Sequence, residues 1–288
     1  MAKSKSGGTR ALLRGRVGSD VYSVGKDGMG KRQQVVRSLA EVVANPRTEN
    51  QMFGRMIMST VMQAVSAMSP IIDHSFDGHA KGQPSISEFI RRNYALVKAD
   101  ALAHPASGNK FGLNKYQQKG ILPGAYVVSS GSAVKPTAVT MSALTLTIAL
   151  SAGTMTVGGL KAALGITADG YMTAIVVSAG SGFCFARVKV DTSLADDTAI
   201  TAENVASLFS IESNVTATPS VYQNNINIEL TASATDYTEG VIISDKVDGA
   251  WIHSACTLTG TLEDSQAADV ALPTYPTGSE QFLNGGEI

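Results

Sequence analysis

The pattern of apolar and polar positions predicts strands at the start of the chain, helices after them, and strands again in its second half. Residues 17–24 and 34–39 have the composition of short strands, and the glycine-rich stretch 25–30 lies between them. Asp27-Gly28 at the centre of that stretch is typical of a tight turn between antiparallel strands. This arrangement predicts a β-hairpin with a glycine-rich tip.

Two segments have the period of an amphipathic helix. From Met52 to Met68 apolar residues recur every three or four positions, and the capping box Thr48-x-x-Gln51 precedes them. We expect this helix to end at Pro70, because proline disrupts the interior of a helix. A second capping box, Ser85-x-x-Glu88, predicts the start of another helix whose apolar face begins at Phe89.

Beyond residue 123 the chain consists of short β-branched runs separated by turn residues such as Asp248-Gly249. Many short strands at this spacing are typical of a β-sandwich, here immunoglobulin-like in the loose architectural sense. Residues 157–164 and 202–209 could each form a short helical insert. The fold class predicted for the whole chain is therefore α+β. The predicted strands lie within residues 138–150, 174–177, 183–190, 226–230, 241–243 and 251–258.

Charge divides the chain into two parts of opposite sign. Residues 1–119 contain 18 Lys and Arg against 8 Asp and Glu, whereas residues 120–288 contain 5 against 16, although the net charge of the whole chain is only −1. Such asymmetry indicates separate domains. We predict a flexible basic arm (1–10), a basic domain of hairpin and helices (11–119), an acidic β-rich domain (120–272) and an extended tail (273–288).

Composition argues against several classes of protein. No run of 18 apolar residues exists, so a membrane span is not expected, and the basic opening residues lack the apolar core of a secretory signal. The only cysteines, Cys184 and Cys256, both lie in strand-like runs. We expect two buried free thiols, because Cys is among the most buried residue types. A single disulfide between them is the alternative.

The clearest enzyme-like motif is Gly25-x-x-x-x-Gly30-Lys31-Arg32, which nearly matches a phosphate-binding P-loop. A P-loop needs Ser or Thr in the last position to ligate magnesium, and a helix follows it. Arg32 has no hydroxyl, and the residues after it have the pattern of a strand. We therefore interpret the motif as a hairpin tip.

One cluster has the composition of a metal site: Asp73, His74, Asp77 and His79. The two histidines are five residues apart, which is not the spacing of a helical zinc site, so we interpret the segment as a polar loop between helices. No nucleophile motif centred on serine occurs, and His253 and Cys256 in one strand would face opposite sides. We predict no catalytic residue, cofactor or metal site, and we do not expect an enzyme.

Basic residues crowd the first fifty positions, and five arginines among them are the candidate interface residues. These are Arg14, Arg16, Arg32, Arg37 and Arg47. Such a cluster can neutralise the phosphates of nucleic acid. The aromatic residues that stack on bases are sparse, however, with Tyr22 alone before Phe53. We favour an acidic protein surface as the partner, and the second half of this chain supplies one.

Three motifs of the basic half occur in a distinctive order. They are Gly15-Arg16-Val17-Gly18, then Val35-Val36-Arg37-Ser38, then Asn45-Pro46-Arg47-Thr48-Glu49-Asn50-Gln51. In order and spacing they resemble an uncharacterised domain family of Bacteroidota genomes and of their phages, the crAss-like phages included. The resemblance covers about residues 11–130, and the acidic half has no counterpart in it.

The resemblance implies no catalytic or ligand-binding residues. It implies a virion context instead: a structural protein of the tail, neck or tail hub of a phage, synthesised in the cytoplasm of the bacterial host. Contacts between the basic half of one copy and the acidic half of the next would be heterologous, and such contacts can close into rings. The expected partners are other virion proteins and further copies of this chain, about six or twelve in a ring.

Two other functions stay open at this point. One is a cell-surface binding module of the bacterial host with an immunoglobulin-like domain, although the chain lacks a secretory signal. The other is a nucleic acid-binding protein packaged with the genome, which salt-dependent binding of residues 1–119 to nucleic acid would support.

Overall fold

The computed structural model describes residues 3–4, 13–26, 32–38, 49–73, 75–80, 82–103, 126–178, 180–191, 193–234 and 236–260. Helices and antiparallel sheets both occur among them, so the predicted α+β class is confirmed. The chain forms two compact units, residues 1–47 and 48–288.

The first unit contains one antiparallel sheet, the N-terminal sheet, with its strands in the order β1-β2-β3-β4. β2 and β3 are joined by the two-residue turn Gly18-Ser19, and the φ of 58° at Gly18 is a conformation that favours glycine. β3 and β4 pair along their whole length, so the predicted hairpin is confirmed. The strands are β1 Lys3–Ser4, β2 Leu13–Val17, β3 Asp20–Lys26 and β4 Arg32–Ser38.

The second unit begins with two helices, α1 at Glu49–Ile72 and α2 at Gln83–Ala103. The predicted end of α1 at Pro70 is wrong by two residues, because the helix includes the proline, which lacks an N–H to donate, and continues to Ile72. α2 starts two residues before the predicted capping box. Pro84 suits the first turn of a helix, and the Ser85 hydroxyl donates to the Ala80 carbonyl at 3.1 Å instead of capping.

Strands form most of the remaining chain, and a short helix, α3, occupies Val157–Leu164. Val205–Leu208 is a single 3-10 turn. Both lie where helical inserts were predicted. The strands are β5 Val127–Ser129, β6 Val139–Ser142, β7 Thr145–Ala149, β8 Tyr171–Ser178, β9 Gly182–Val190, β10 Phe209–Ser213, β11 Ala217–Tyr222, β12 Asn225–Leu230, β13 Tyr237–Val247, β14 Ala250–His253, β15 Cys256–Thr257 and β16 Thr259–Gly260.

These strands form two large sheets and one small one. The larger sheet has the order β10-β9-β8-β13-β14, and β16 also pairs with β13. The second has the order β11-β12-β7-β6, and β15 pairs with β5. Central strand β8 is buried on both faces, as expected of a strand between two apolar layers.

Neighbouring residues of β8 belong to different hydrophobic cores, because they point to opposite faces of the sheet. Ile175 and Val177 pack with α1 and α2. Met172, Ala174 and Val176 pack with α3 and with the sheet that contains β7 and β12. The second unit is therefore layered, with the helix pair first, then the larger sheet, and then the four-stranded sheet β11-β12-β7-β6 together with α3.

The helix pair and the β-rich half share one core, in which Phe89 and Met56 pack in the same cluster as Val128 and Ile242. Sequence analysis grouped the helices with the hairpin instead, because charge and helical period do not reveal which sheet covers an apolar face. The boundary predicted near residue 120 and the extended tail 273–288 lie outside the described residues, as does the basic arm apart from Lys3 and Ser4.

Candidate assembly surface

No described side chain of the N-terminal sheet is buried. Val35 and Val36 on β4 are 39% and 52% exposed, and Val21, Tyr22 and Val24 on β3 are half-buried. A sheet of this size is stable in water when one of its apolar faces is covered. The N-terminal sheet thus presents apolar side chains that have no core to enter within the described residues.

Two of the five candidate arginines lie in one row across this sheet. Arg16 on β2 pairs with Val21 on β3, and Val21 pairs with Arg37 on β4. Side chains of paired residues share a face, and Val35 lies two residues from Arg37 on that same face. We call this side, defined by Arg16, Val21, Val35 and Arg37, the arginine face.

Of the other three candidates, one lies on the opposite face, and the side chains of two are outside the described part of the chain. Arg32 is five residues before Arg37 on the same strand and therefore lies on the opposite face. Arg14 pairs in register with Lys3, and Arg47 lies outside the described residues. The sequence could not separate these residues, because the pairing of strands decides which of them share a face.

The cations of this sheet are poorly compensated. The Nε of Arg16 donates to the carbonyl of Gly18 at 2.9 Å. This bond orients the guanidinium group, but a neutral carbonyl does not neutralise its charge. Arg32 and Arg37 are exposed, and neither has an ion-pair partner among the residues that the structure describes. An anionic partner would therefore meet free positive charge here.

Arginines of α2 and β9 are already paired. On α2, the Glu88 carboxylate accepts hydrogen bonds from Arg91 at 2.6 and 2.8 Å and from Arg92 at 2.7 Å. These two guanidinium groups lower the pKa of Glu88 to about 2 despite its burial. Arg187 likewise pairs with Glu212 at 2.7 Å. The N-terminal sheet differs from both places in leaving its arginines available.

The near match to a P-loop lies between two paired strands. β3 ends at Lys26 and β4 begins at Arg32, and the two residues face each other across the ladder. A strand follows the glycine-rich segment where a P-loop would have a helix. The pairing of the flanking strands as a hairpin is confirmed, whereas the predicted tip, residues 27–31, lies outside the described residues.

Asp77, taken from the sequence as a loop residue, joins three segments of the second unit. One carboxylate oxygen accepts from the main-chain N–H and the hydroxyl of Ser132 at 2.7 and 2.8 Å. The other accepts from the main-chain N–H of His253 at 2.7 Å. His74 lies outside the described residues. Among the residues that are described, no group of three or more His, Cys, Asp or Glu could hold a metal ion.

Sequence analysis missed a Ser–His pair in the larger sheet. The hydroxyl of Ser244 lies 2.9 Å from Nδ1 of His253, and the two residues face each other between β13 and β14. Their side chains are almost completely buried, and the main-chain N–H of His253 donates to Asp77. A catalytic serine needs a hydroxyl that a substrate can reach, and this one is enclosed.

The two cysteines are free and buried, as predicted. Burial raises the pKa of the Cys184 thiol, and it raises that of Cys256 to about 11. A protonated thiol is a poor nucleophile, so neither residue has the environment of a reactive cysteine.

Buried carboxylates of the β-rich half hold turns. Glu239 accepts from the main-chain N–H groups of Ala143 and Leu144 at 3.1 and 3.0 Å, in a β6–β7 turn where both residues have positive φ. Asp245 accepts from the N–H and hydroxyl of Thr167 at 3.0 and 2.6 Å. These hydrogen bonds satisfy the two buried carboxylates and fix the turns that they contact.

Neither a family model, nor a curated protein, nor a solved structure matches this chain. The candidate surface therefore rests on geometry and charge.

A second uncovered surface lies on the helix pair. Residues 56–72 of α1 contain no charged residue, and Met58 and Met62 on its outer side are 41% and 43% exposed. Leu96 and Leu102 on α2 are 38% and 48% exposed. Within the described part of the chain, no helix is long and apolar enough to span a membrane.

Proposed function

We propose that this chain is a structural assembly protein of a phage virion, in the tail, neck or tail hub. It joins further copies of itself and other virion proteins through the N-terminal sheet. The observation that carries the proposal is that this sheet combines exposed apolar side chains with exposed arginines, and that none of its described side chains is buried. A surface of this composition is typical of a binding surface.

The distribution of charge supports contacts between copies. Residues 1–47 contain ten Lys and Arg against three Asp and Glu, whereas residues 190–288 contain one against fifteen. Opposite potentials on two parts of one chain favour a head-to-tail arrangement, and they repel the arrangement that joins like parts. Heterologous contacts of this kind close into a ring when the rotation between neighbours permits, here of about six or twelve subunits.

The second unit has the construction of a rigid framework. Two cores lie on either side of the larger sheet, and Asp77 and Asn93 tie the helices to segments far away in the chain. In this proposal the two stacked sheets are an immunoglobulin-like sandwich in the loose architectural sense, and they project from the ring or line the contact between subunits. The placement in a virion follows from the family resemblance of residues 11–130.

Light scattering of the purified full-length protein at low and at high salt tests the proposal. We expect a closed oligomer at low salt that dissociates as salt rises, because exposed charges are screened beyond about 10 Å at 0.1 M. Arg37→Glu should lower the mass at low salt without changing the far-UV circular dichroism. Lys98→Glu, an exposed reversal on α2, is the matched control and should assemble normally.

A strict monomer at every salt and protein concentration would overturn self-assembly through this surface. Salt-sensitive binding of DNA or RNA by the monomer, lost in Arg37→Glu and kept in Lys98→Glu, would favour the packaged nucleic acid-binding protein instead.

A further inference from the structure

The arginine face of the N-terminal sheet is exposed among the residues that the structure describes. Val35 is 39% exposed and Arg37 is exposed in the single chain. Strand β4 has β3 as its one neighbour among the described residues, so it is an edge strand. Edge strands with exposed apolar side chains bind a further extended segment readily. An extended segment that binds beside β4 would therefore cover this face.

The composition of the arginine face selects an anionic and partly apolar segment. Arg16 and Arg37 stand on either side of Val21, and Val35 lies beside them. A purely acidic polymer would leave the two valines in water, and a purely apolar segment would bury two guanidinium groups without partners, which is costly.

One segment of this same chain has that composition. Residues 261–288, the acidic C-terminal segment, contain five acidic residues and no Lys or Arg, together with apolar residues such as Val270 and Leu272. Fully extended, 28 residues span up to about 90 Å, which is ample to reach a neighbouring subunit. The acids of the segment are Glu263, Asp264, Asp269, Glu280 and Glu287.

The main rival within the chain is the acidic connection between β9 and β10, and two of its four carboxylates are already engaged. Asp196 forms an ion pair with Lys161 at 2.8 Å. Asp191 accepts from the N–H and hydroxyl of Ser193 at 2.9 and 2.7 Å. A docking partner formed by this connection would have to give up those contacts.

We propose that the acidic C-terminal segment of one copy binds the arginine face of the next copy, beside edge strand β4. This deepens the proposed function and rests on it, because it names the two surfaces that meet at the subunit contact. Each subunit donates one segment and receives one, so the contact is heterologous and can propagate around a ring.

A charge-swap experiment on the full-length protein tests the pairing. The sheet-reversed variant carries Arg16→Glu and Arg37→Glu. The tail-reversed variant carries Glu263→Lys, Asp264→Lys and Asp269→Lys. Mass is measured at low salt by light scattering, and folding is checked by circular dichroism. The control carries Lys98→Glu and Lys189→Glu, two exposed reversals outside the proposed contact.

We expect each variant alone to be monomeric at concentrations where the wild type assembles, with apparent dissociation constants raised by roughly tenfold or more. An equimolar mixture of the two variants should assemble again, because each sheet then meets a segment of opposite charge on the other variant. A chain that carries both reversals should assemble by itself. Recovery in the mixture also shows that both variants are folded.

Other outcomes overturn the proposal in distinguishable ways. Normal assembly of the tail-reversed variant, or no recovery in the mixture, would remove the C-terminal segment from the contact while self-assembly of the wild type stands. A wild type that never assembles would overturn the proposed function as well. Loss of nucleic acid binding in the sheet-reversed variant alone, with assembly unchanged, would assign the arginine face to nucleic acid.

Discussion

Asn93→Ala should destabilise the second unit more than any surface change on the same helix. Asn93 is completely buried on α2, and its amide group pairs with one residue of β5 in both directions. Its Nδ2 donates to the carbonyl of Val127 at 2.9 Å, and its Oδ1 accepts from the N–H of Val127 at 2.9 Å. A third bond runs from Nδ2 to the carbonyl of Phe89 at 3.0 Å. The amide group thus forms with Val127 the same pair of hydrogen bonds that a neighbouring strand would form, and it fixes α2 to β5.

The expected size of the effect comes from these three bonds. Each contributes about 1 kcal/mol net, so the free energy of unfolding should fall by about 3 kcal/mol. The better helix propensity of Ala returns about 0.5 kcal/mol of that. For a unit of this length, each kcal/mol lowers Tm by about 2–4 °C, which predicts a decrease of about 5–10 °C.

Thermal and urea unfolding followed by circular dichroism measure this directly. Lys98→Ala on the exposed side of α2 is the matched control, and its free energy of unfolding should change by no more than about 0.5 kcal/mol. Equal stability of the two variants would refute the reasoning, because it would mean that the amide group of Asn93 does not hold β5 to the helix.

Three further changes test contacts of the second unit by the same unfolding assays. Asp77→Ala removes the acceptor shared by Ser132 and His253 and should cost about 2–3 kcal/mol; stability equal to wild type would contradict the structural role. Glu88→Gln should cost about 1 kcal/mol at pH 7. Because the pKa of Glu88 is lowered from 4.5 to about 2, this stability advantage of the wild type is present above pH 4.5 and lost as pH falls toward 2. A difference in free energy of unfolding that stays constant over that range would contradict the ion pairing of Glu88. Tyr126→Phe removes a buried hydroxyl that has no hydrogen-bond partner among the described residues, so it should leave Tm unchanged or raise it, and a decrease of several degrees would reveal a partner.

The sequence predicted local structure well where one period dominated. The apolar spacing from Met52 to Met68 indicated α1, and β-branched runs indicated the strands of the β-rich half. Residues 157–164 were predicted as a helical insert, and α3 occupies them with Thr156 capping its first turn. In each case the signal lies within a few residues of the element that it specifies.

Long-range contacts could not be predicted in the same way. Phe89 was predicted to begin the apolar face of α2, and Asn93 lies one turn further on, but its partner Val127 is 34 residues away, in a strand too short to have a pattern. Asp77 lies in the loop between α1 and α2 as predicted, but its contacts with residues 55 and 176 positions away could not be predicted. Hydrogen bonds of this kind depend on how layers stack, and a single sequence contains no period that reports on stacking.

The candidate surface shows the same division. The sequence identified the concentration of arginines in the first fifty residues, but the register of the sheet decides that Arg16 and Arg37 share a face and that Arg32 does not. A shift of the register by one residue would exchange the two faces. Charge is thus visible in composition, whereas the geometry that makes a binding face appears only with the pairing of strands.

The two units differ in how their sheets are stabilised, and this has a consequence for assembly. The larger sheet of the second unit has a core on each face, so its stability does not require a partner. The N-terminal sheet has none among its described residues, and a partner that covers it adds its binding free energy to the folding of that sheet. Order in the N-terminal sheet should therefore rise with protein concentration as subunits associate, while the second unit stays folded throughout. Because the N-terminal sheet gains its core only in the complex, the assembled fraction should rise steeply with protein concentration. High salt screens the arginines and therefore opposes both the association of subunits and the folding of this sheet.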